Sequence, residues 1–154
     1  MGVYMSRKKR VARFTLSQAE ADELIRAVKR AVEDTFDMPA AGDHNAEFHV
    51  RSMAGDEFTV AVYQGKRDAN RHSMSARVAK LGVPLLRLCV NSSPHANPDG
   101  VKVAGTHWHI YKEGADDFFA YPAELDSDGF VEATIALLDK FNVIERPIFQ
   151  ERLI

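Results

Sequence analysis

Glu47-Phe48-His49-Val50-Arg51-Ser52-Met53-Ala54-Gly55-Asp56-Glu57-Phe58-Thr59-Val60-Ala61-Val62 is the stretch on which the fold turns. Phe48 and Val50 fall on one side of an alternating run, and His49 and Arg51 fall on the other. Ala54-Gly55-Asp56 supplies turn chemistry, after which Phe58, Val60 and Val62 continue the apolar side. Residues two apart in a strand share a face. The stretch therefore predicts an antiparallel hairpin with one apolar and one polar face.

Working outward, the same period returns three more times. His72 to Lys80 alternates weakly, with Ser73, Ser75 and Arg77 on one face, until Gly82-Val83-Pro84 breaks it. Leu86, Leu88 and Val90 face the core in a fourth strand while Arg87 and Cys89 face away. Trp108 and Ile110 anchor a fifth, with His107, His109 and Tyr111 on its other face. Residues 114–128 are polar and aromatic and read as a packed loop.

Two segments have helical spacing instead. Thr15-Leu16-Ser17-Gln18 forms a capping box, Thr15 at the N-cap, ahead of Leu24, Ile25, Val28, Val32 and Phe36. Asp22/Arg26, Lys29/Glu33 and Arg30/Asp34 are i,i+4 pairs on the opposite face. This predicts a helix over about 16–34. A second helix, over about 129–141, has Phe130, Thr134, Leu137, Leu138 and Phe141 as its stripe.

The expected fold is α+β: an antiparallel sheet of about five strands with an N-terminal and a C-terminal helix packed on one face. The opposite face is then open and carries His49, Arg51, Tyr63, Arg77, Arg87, His107, His109 and Tyr111.

Composition sets the outer bounds. With 154 residues, 45% hydrophobic and 27% charged, the chain fits one globular domain over 15–154 behind a basic arm over 1–14. No apolar run is long enough to span a membrane, and no secretory signal precedes the domain. A single cysteine, Cys89, cannot form an internal disulfide, so a cytoplasmic setting is expected. The net charge of −2 conceals an asymmetry. Arg7, Lys8, Lys9, Arg10 and Arg13 crowd the arm, whereas residues 116–139 hold seven acidic side chains and no basic one.

An open face of arginines, imidazoles and tyrosines suits a phosphate-bearing substrate, because arginine grips phosphate bidentately and aromatic rings stack on unpaired bases. The leading expectation is action on RNA as a toxin-type endoribonuclease needing no cofactor or metal. His107, His109 and His95 would carry protons, Arg87 would stabilise the charge on phosphorus, and Tyr111 would support them. Arg51, Arg77 and the arm's Arg7, Lys8, Lys9 and Arg10 would hold the nucleic acid. A metal-dependent enzyme built on His107 and His109 is an alternative. With Glu113 they resemble half of the first cupin motif, whose glycine-rich tail and second motif are missing here.

The run from Pro84 through Asn97-Pro98-Asp99-Gly100 and His107-Trp108-His109-Ile110-Tyr111-Lys112-Glu113-Gly114 to Pro122 also resembles a family of small uncharacterised bacterial and prophage proteins. What the resemblance implies is a mobile-element context, in which a non-enzymatic inhibitor or adaptor is the second alternative. Its partner would be a protein or nucleoprotein, with the acidic stretch around residues 116–128 mimicking nucleic-acid charge. A homodimer packing two such faces together fits as well.

Overall fold

A computed structural model describes residues 16–115 and 119–151 of the chain. The order of elements is α1 (Gln18–Arg26), β1 (Lys29–Ala31), β2 (Thr35–Asp37), β3 (Glu47–Ser52), β4 (Glu57–Gln64), β5 (His72–Val78), β6 (Pro84–Val90), β7 (His95–Ala96), β8 (Lys102–Val103), β9 (His107–Ile110), β10 (Ala120–Pro122), α2 (Phe130–Lys140), β11 (Val143–Glu145) and β12 (Ile148–Gln150).

The deciding hairpin forms as its alternation predicts. Phe48 lies opposite Val60 and Val50 opposite Phe58, all fully buried. The turn closes by Gly55 N–H to Ser52 O at 3.0 Å, with Gly55 at φ +95°, a conformation glycine reaches without strain. The sheet grown from this hairpin is larger than five strands and is not purely antiparallel. Among the described residues, eight strands run in the order β10-β9-β6-β5-β4-β3-β1-β11, and the last pair, β1 with β11, is parallel. A parallel β2–β12 pair and the antiparallel β7–β8 hairpin form two further small sheets.

The expectation of about five antiparallel strands and two helices fails chiefly at the first helix. It ends at Arg26, where Ala27 takes an extended ψ of 139°. Residues 29–31 then pair with β3 on one side, Lys29 opposite Ser52 and Ala31 opposite Val50, and with β11 on the other. Helical spacing over 28–36 was outweighed by the ladder hydrogen bonds that residues 29–31 make with β3 and β11. The helix starts with the capping box Ser17/Glu20: Glu20 N–H donates to Ser17 Oγ, and Ser17 N–H donates to Glu20 Oε1. Thr15, the expected N-cap, lies outside the described residues, as do the basic arm and residues 116–118.

Phe48, Phe58, Val60, Met74, Leu86, Leu88 and Leu137 fill the core. α2 packs on β5, β6 and β11, with Thr134, Leu137 and Leu138 buried as its stripe predicts. Among the described residues, no helix is long and apolar enough to cross a membrane.

Candidate functional site

Strand parity and register bring the chemistry together on the face turned away from α2. Along one row, Tyr63 faces Ser73, Ser73 faces Cys89, and Cys89 faces His107. In the next row Ser75 faces Arg87 and Arg87 faces His109. Cys89, Arg87, His107 and His109 therefore form one patch across the β6–β9 pair.

The patch is not open. His107 is 2% exposed and His109 1%, so the expected exposed histidine face is corrected at its centre. The cover is the β7–β8 hairpin, which sets the half-buried His95 ring edge-on against His109, with centroids 4.8 Å apart, and 5.9 Å from His107. Asn97 anchors that hairpin by imitating a strand partner. Its Nδ2 donates to Ala120 O at 2.9 Å, and its Oδ1 accepts from Ala120 N–H at 2.7 Å. The Asn97-Pro98-Asp99-Gly100 turn closes beside it, Gly100 N–H donating to Asn97 O.

Within the patch the protons can be placed. His107 Nδ1 lies 2.8 Å from Gly105 O, and a carbonyl only accepts, so Nδ1 carries the hydrogen. Burial pushes the His107 pKa below its ordinary value, and positive charge at His95 and Arg87 pushes the same way against that hydrogen bond. The neutral ring then presents a lone pair at Nε2, 3.0 Å from His109 Nε2, which must be the donor of the pair.

Tyr111 lies elsewhere. It is buried in the apolar core, and its hydroxyl donates to Leu16 O at 2.6 Å. Glu113, the third member of the cupin-like spacing, accepts from Gln18 N–H at the start of α1. Arg51 and Arg77 do stand on the polar face, but each guanidinium is bound to a carboxylate at 2.6 Å, Glu57 and Glu47 respectively. His49 is likewise tied to Glu33 at 2.7 Å.

Two depressions adjoin the patch and meet at Tyr63 and Ser73. One, of about 410 Å³, reaches Arg87 and Glu47; the other, of about 470 Å³, reaches Cys89 and the loop cations Lys66, Arg67 and Arg71. The loop after β4 is drawn tight by Gly65 N–H to Arg71 O, 2.8 Å, and a Cβ at Gly65 would stand 2.6 Å from Asp68 O. Tyr63 itself is stacked on His44, 4.9 Å between centroids and 18° between planes.

Sequence reading missed Cys89 as a site residue. Its outward parity was visible, and what was needed besides was the pairing of β6 with β9.

The model of a family of unknown function (DUF6978) matches residues 16–143. That span is most of the chain, so the chain belongs to this family. Residues 84–122, which carry the resemblance drawn above, lie inside it. No curated protein and no solved structure matches the chain.

Proposed function

We propose that this member of the DUF6978 family binds single-stranded RNA along the polar sheet face. One observation carries the reading: the two depressions that meet at Tyr63, one rimmed by Lys66, Arg67 and Arg71 and the other by Arg87. A strand of RNA laid across them would set phosphates against the loop cations and a base against the Tyr63 ring. Cations along a groove combined with a stacking ring are the usual elements of single-strand binding. Lys66, Arg67 and Arg71 are exposed and form no carboxylate ion pair among the described residues. The basic arm, with Arg7, Lys8, Lys9 and Arg10, adds phosphate-neutralising charge to the same role.

Binding rather than cleavage is the reading the geometry favours. A proton carrier must come within hydrogen-bond reach of the ribose hydroxyl, and the rings of His107 and His109 lie beneath the His95 hairpin.

The test is fluorescence anisotropy with a short unstructured RNA in low salt, in the presence of a chelator. Wild type should bind with an affinity that falls as salt rises. Tyr63→Ala should weaken binding roughly 5- to 150-fold, the loss of about 1–3 kcal/mol of stacking. Arg67→Ala with Arg71→Ala should also flatten the salt dependence. Absence of binding at low salt, or a Tyr63→Ala variant that binds like wild type, overturns the reading.

A further inference from the structure

We propose that Cys89, His107 and His109 bind a zinc-type divalent cation, with His95 closing the fourth position. One donor atom from each of the first three lies within 4.8 Å of the others. Zinc holds nitrogen at about 2.0–2.1 Å and thiolate sulfur at about 2.3 Å, which places tetrahedral donors about 3.3–3.6 Å apart. The Nε2–Nε2 separation of 3.0 Å is already close to that, and the longest edge needs to shorten by about an ångström.

Three features prepare the site for a metal. His107 Nδ1–H is held by Gly105 O, and Ser92 Oγ donates to the same carbonyl at 3.2 Å. A backbone carbonyl on the far nitrogen is how metal-bound imidazoles are usually oriented. With the hydrogen fixed on Nδ1 by that carbonyl, the Nε2 lone pair of the neutral ring is turned toward His109 Nε2. His95 arrives from a separate hairpin and stands beside the three donors, its ring centroid 4.8 Å from that of His109 and 5.9 Å from that of His107. Two or three imidazoles and one thiolate suit zinc, and they discriminate against magnesium or calcium, which take oxygen ligands.

Coordination balances simply. The Cys89 thiol gives its proton to solvent, and its sulfur lone pair goes to the metal. His109 moves its hydrogen from Nε2 to Nδ1, leaving Nε2 to ligate, and His107 keeps its proton on Nδ1. One proton is released per ion bound. The consequence is mechanical: the ion would pin the β7–β8 hairpin, through His95, onto strands β6 and β9. This site stands independently of the RNA reading, which is tested in chelator.

The experiment is a cobalt(II) titration of full-length protein first stripped with a chelator, alongside elemental analysis of protein purified without added metal. The expected result is about one equivalent of zinc as purified and a thiolate-to-cobalt charge-transfer band saturating at one equivalent. Cys89→Ser should abolish that band, and His107→Ala should weaken binding 100-fold or more. His95→Ala should keep the band with weaker binding. Should the variants fail to fold, alkylation of Cys89 in wild type decides the matter, since bound zinc must protect the thiol. No metal as purified together with no band on titration overturns the proposal, and so does alkylation of Cys89 at the same rate with and without zinc.

Discussion

Lys29 Nζ donates to Phe141 O at 2.7 Å, across 112 residues of chain. The same ammonium donates to Ile25 O at 3.0 Å and Ala27 O at 2.7 Å, and lies 3.8 Å above the Phe141 ring. One fully buried cation thus satisfies carbonyls at the C-terminal ends of both α1 and α2. Helix C-termini carry partial negative charge, so a positive group there is favoured.

Removing that donor should be costly. Lys29→Met keeps the aliphatic stem but leaves three carbonyls without their partner, and hydrogen bonds to charged groups contribute about 1.5–3 kcal/mol each before relaxation. We expect a loss of about 3 kcal/mol, read as a fall in urea midpoint with the denaturant slope unchanged. A loss below about 1 kcal/mol would show that water replaces the ammonium at little cost.

Lys29 also makes stability depend on pH. Burial pushes its pKa down to about 7, while the unfolded chain keeps the ordinary lysine value. Between those values the unfolded state binds the extra proton, so stability rises with pH, by at most about 1.4 kcal/mol per unit. His72, also held below its ordinary value by burial, has the same sign and costs stability as pH falls below the ordinary histidine value. Urea midpoints should therefore climb from pH 6 to pH 9, and Lys29→Met should remove the alkaline part of the climb. A flat profile above neutrality would mean that the three carbonyls hold the ammonium in the usual lysine range.

Lys29 shows where local pattern stops being informative. Lys29 matched an i,i+4 partner in Glu33 and so read as a solvated helix position. The acceptors that bury it come partly from α2, which no local window contains. The polar face was readable because parity within a strand is local: Arg87 and Cys89 point away from Leu86 and Leu88 as expected. Register was not readable, and register is what sets Cys89 opposite His107. The β7 and β8 strands are two residues each, too short for any period, so the hairpin that buries the histidine pair looked like a turn.

Asn97 should be the residue that keeps this cover closed. It is buried, and both ends of its amide bracket Ala120. Asn97→Asp replaces the Nδ2 donor by an oxygen facing Ala120 O, turning attraction into repulsion with little change in size. Amide hydrogen exchange at Ala120 should accelerate by tenfold or more, while amides of β4 and β5 keep their protection. Uniform acceleration across the sheet would instead mean that Asn97 supports global stability.

The ion pairs on the polar face give the last expectation, because one of them borders a depression and the other does not. Glu47 lines the depression that reaches Arg87, and its carboxylate holds Arg77 at 2.6 Å. Glu57 holds Arg51 at the far end of β3 and lines neither depression. Glu47→Gln removes a negative charge from the proposed RNA path and frees a guanidinium beside it. RNA affinity in low salt should rise severalfold, and the salt dependence should steepen by about 0.7, the increment for one added phosphate contact on a single strand. Glu57→Gln makes the same chemical change outside the path and should leave both quantities unchanged. Equal gains from the two substitutions would mean that RNA responds to net charge alone and not to this groove.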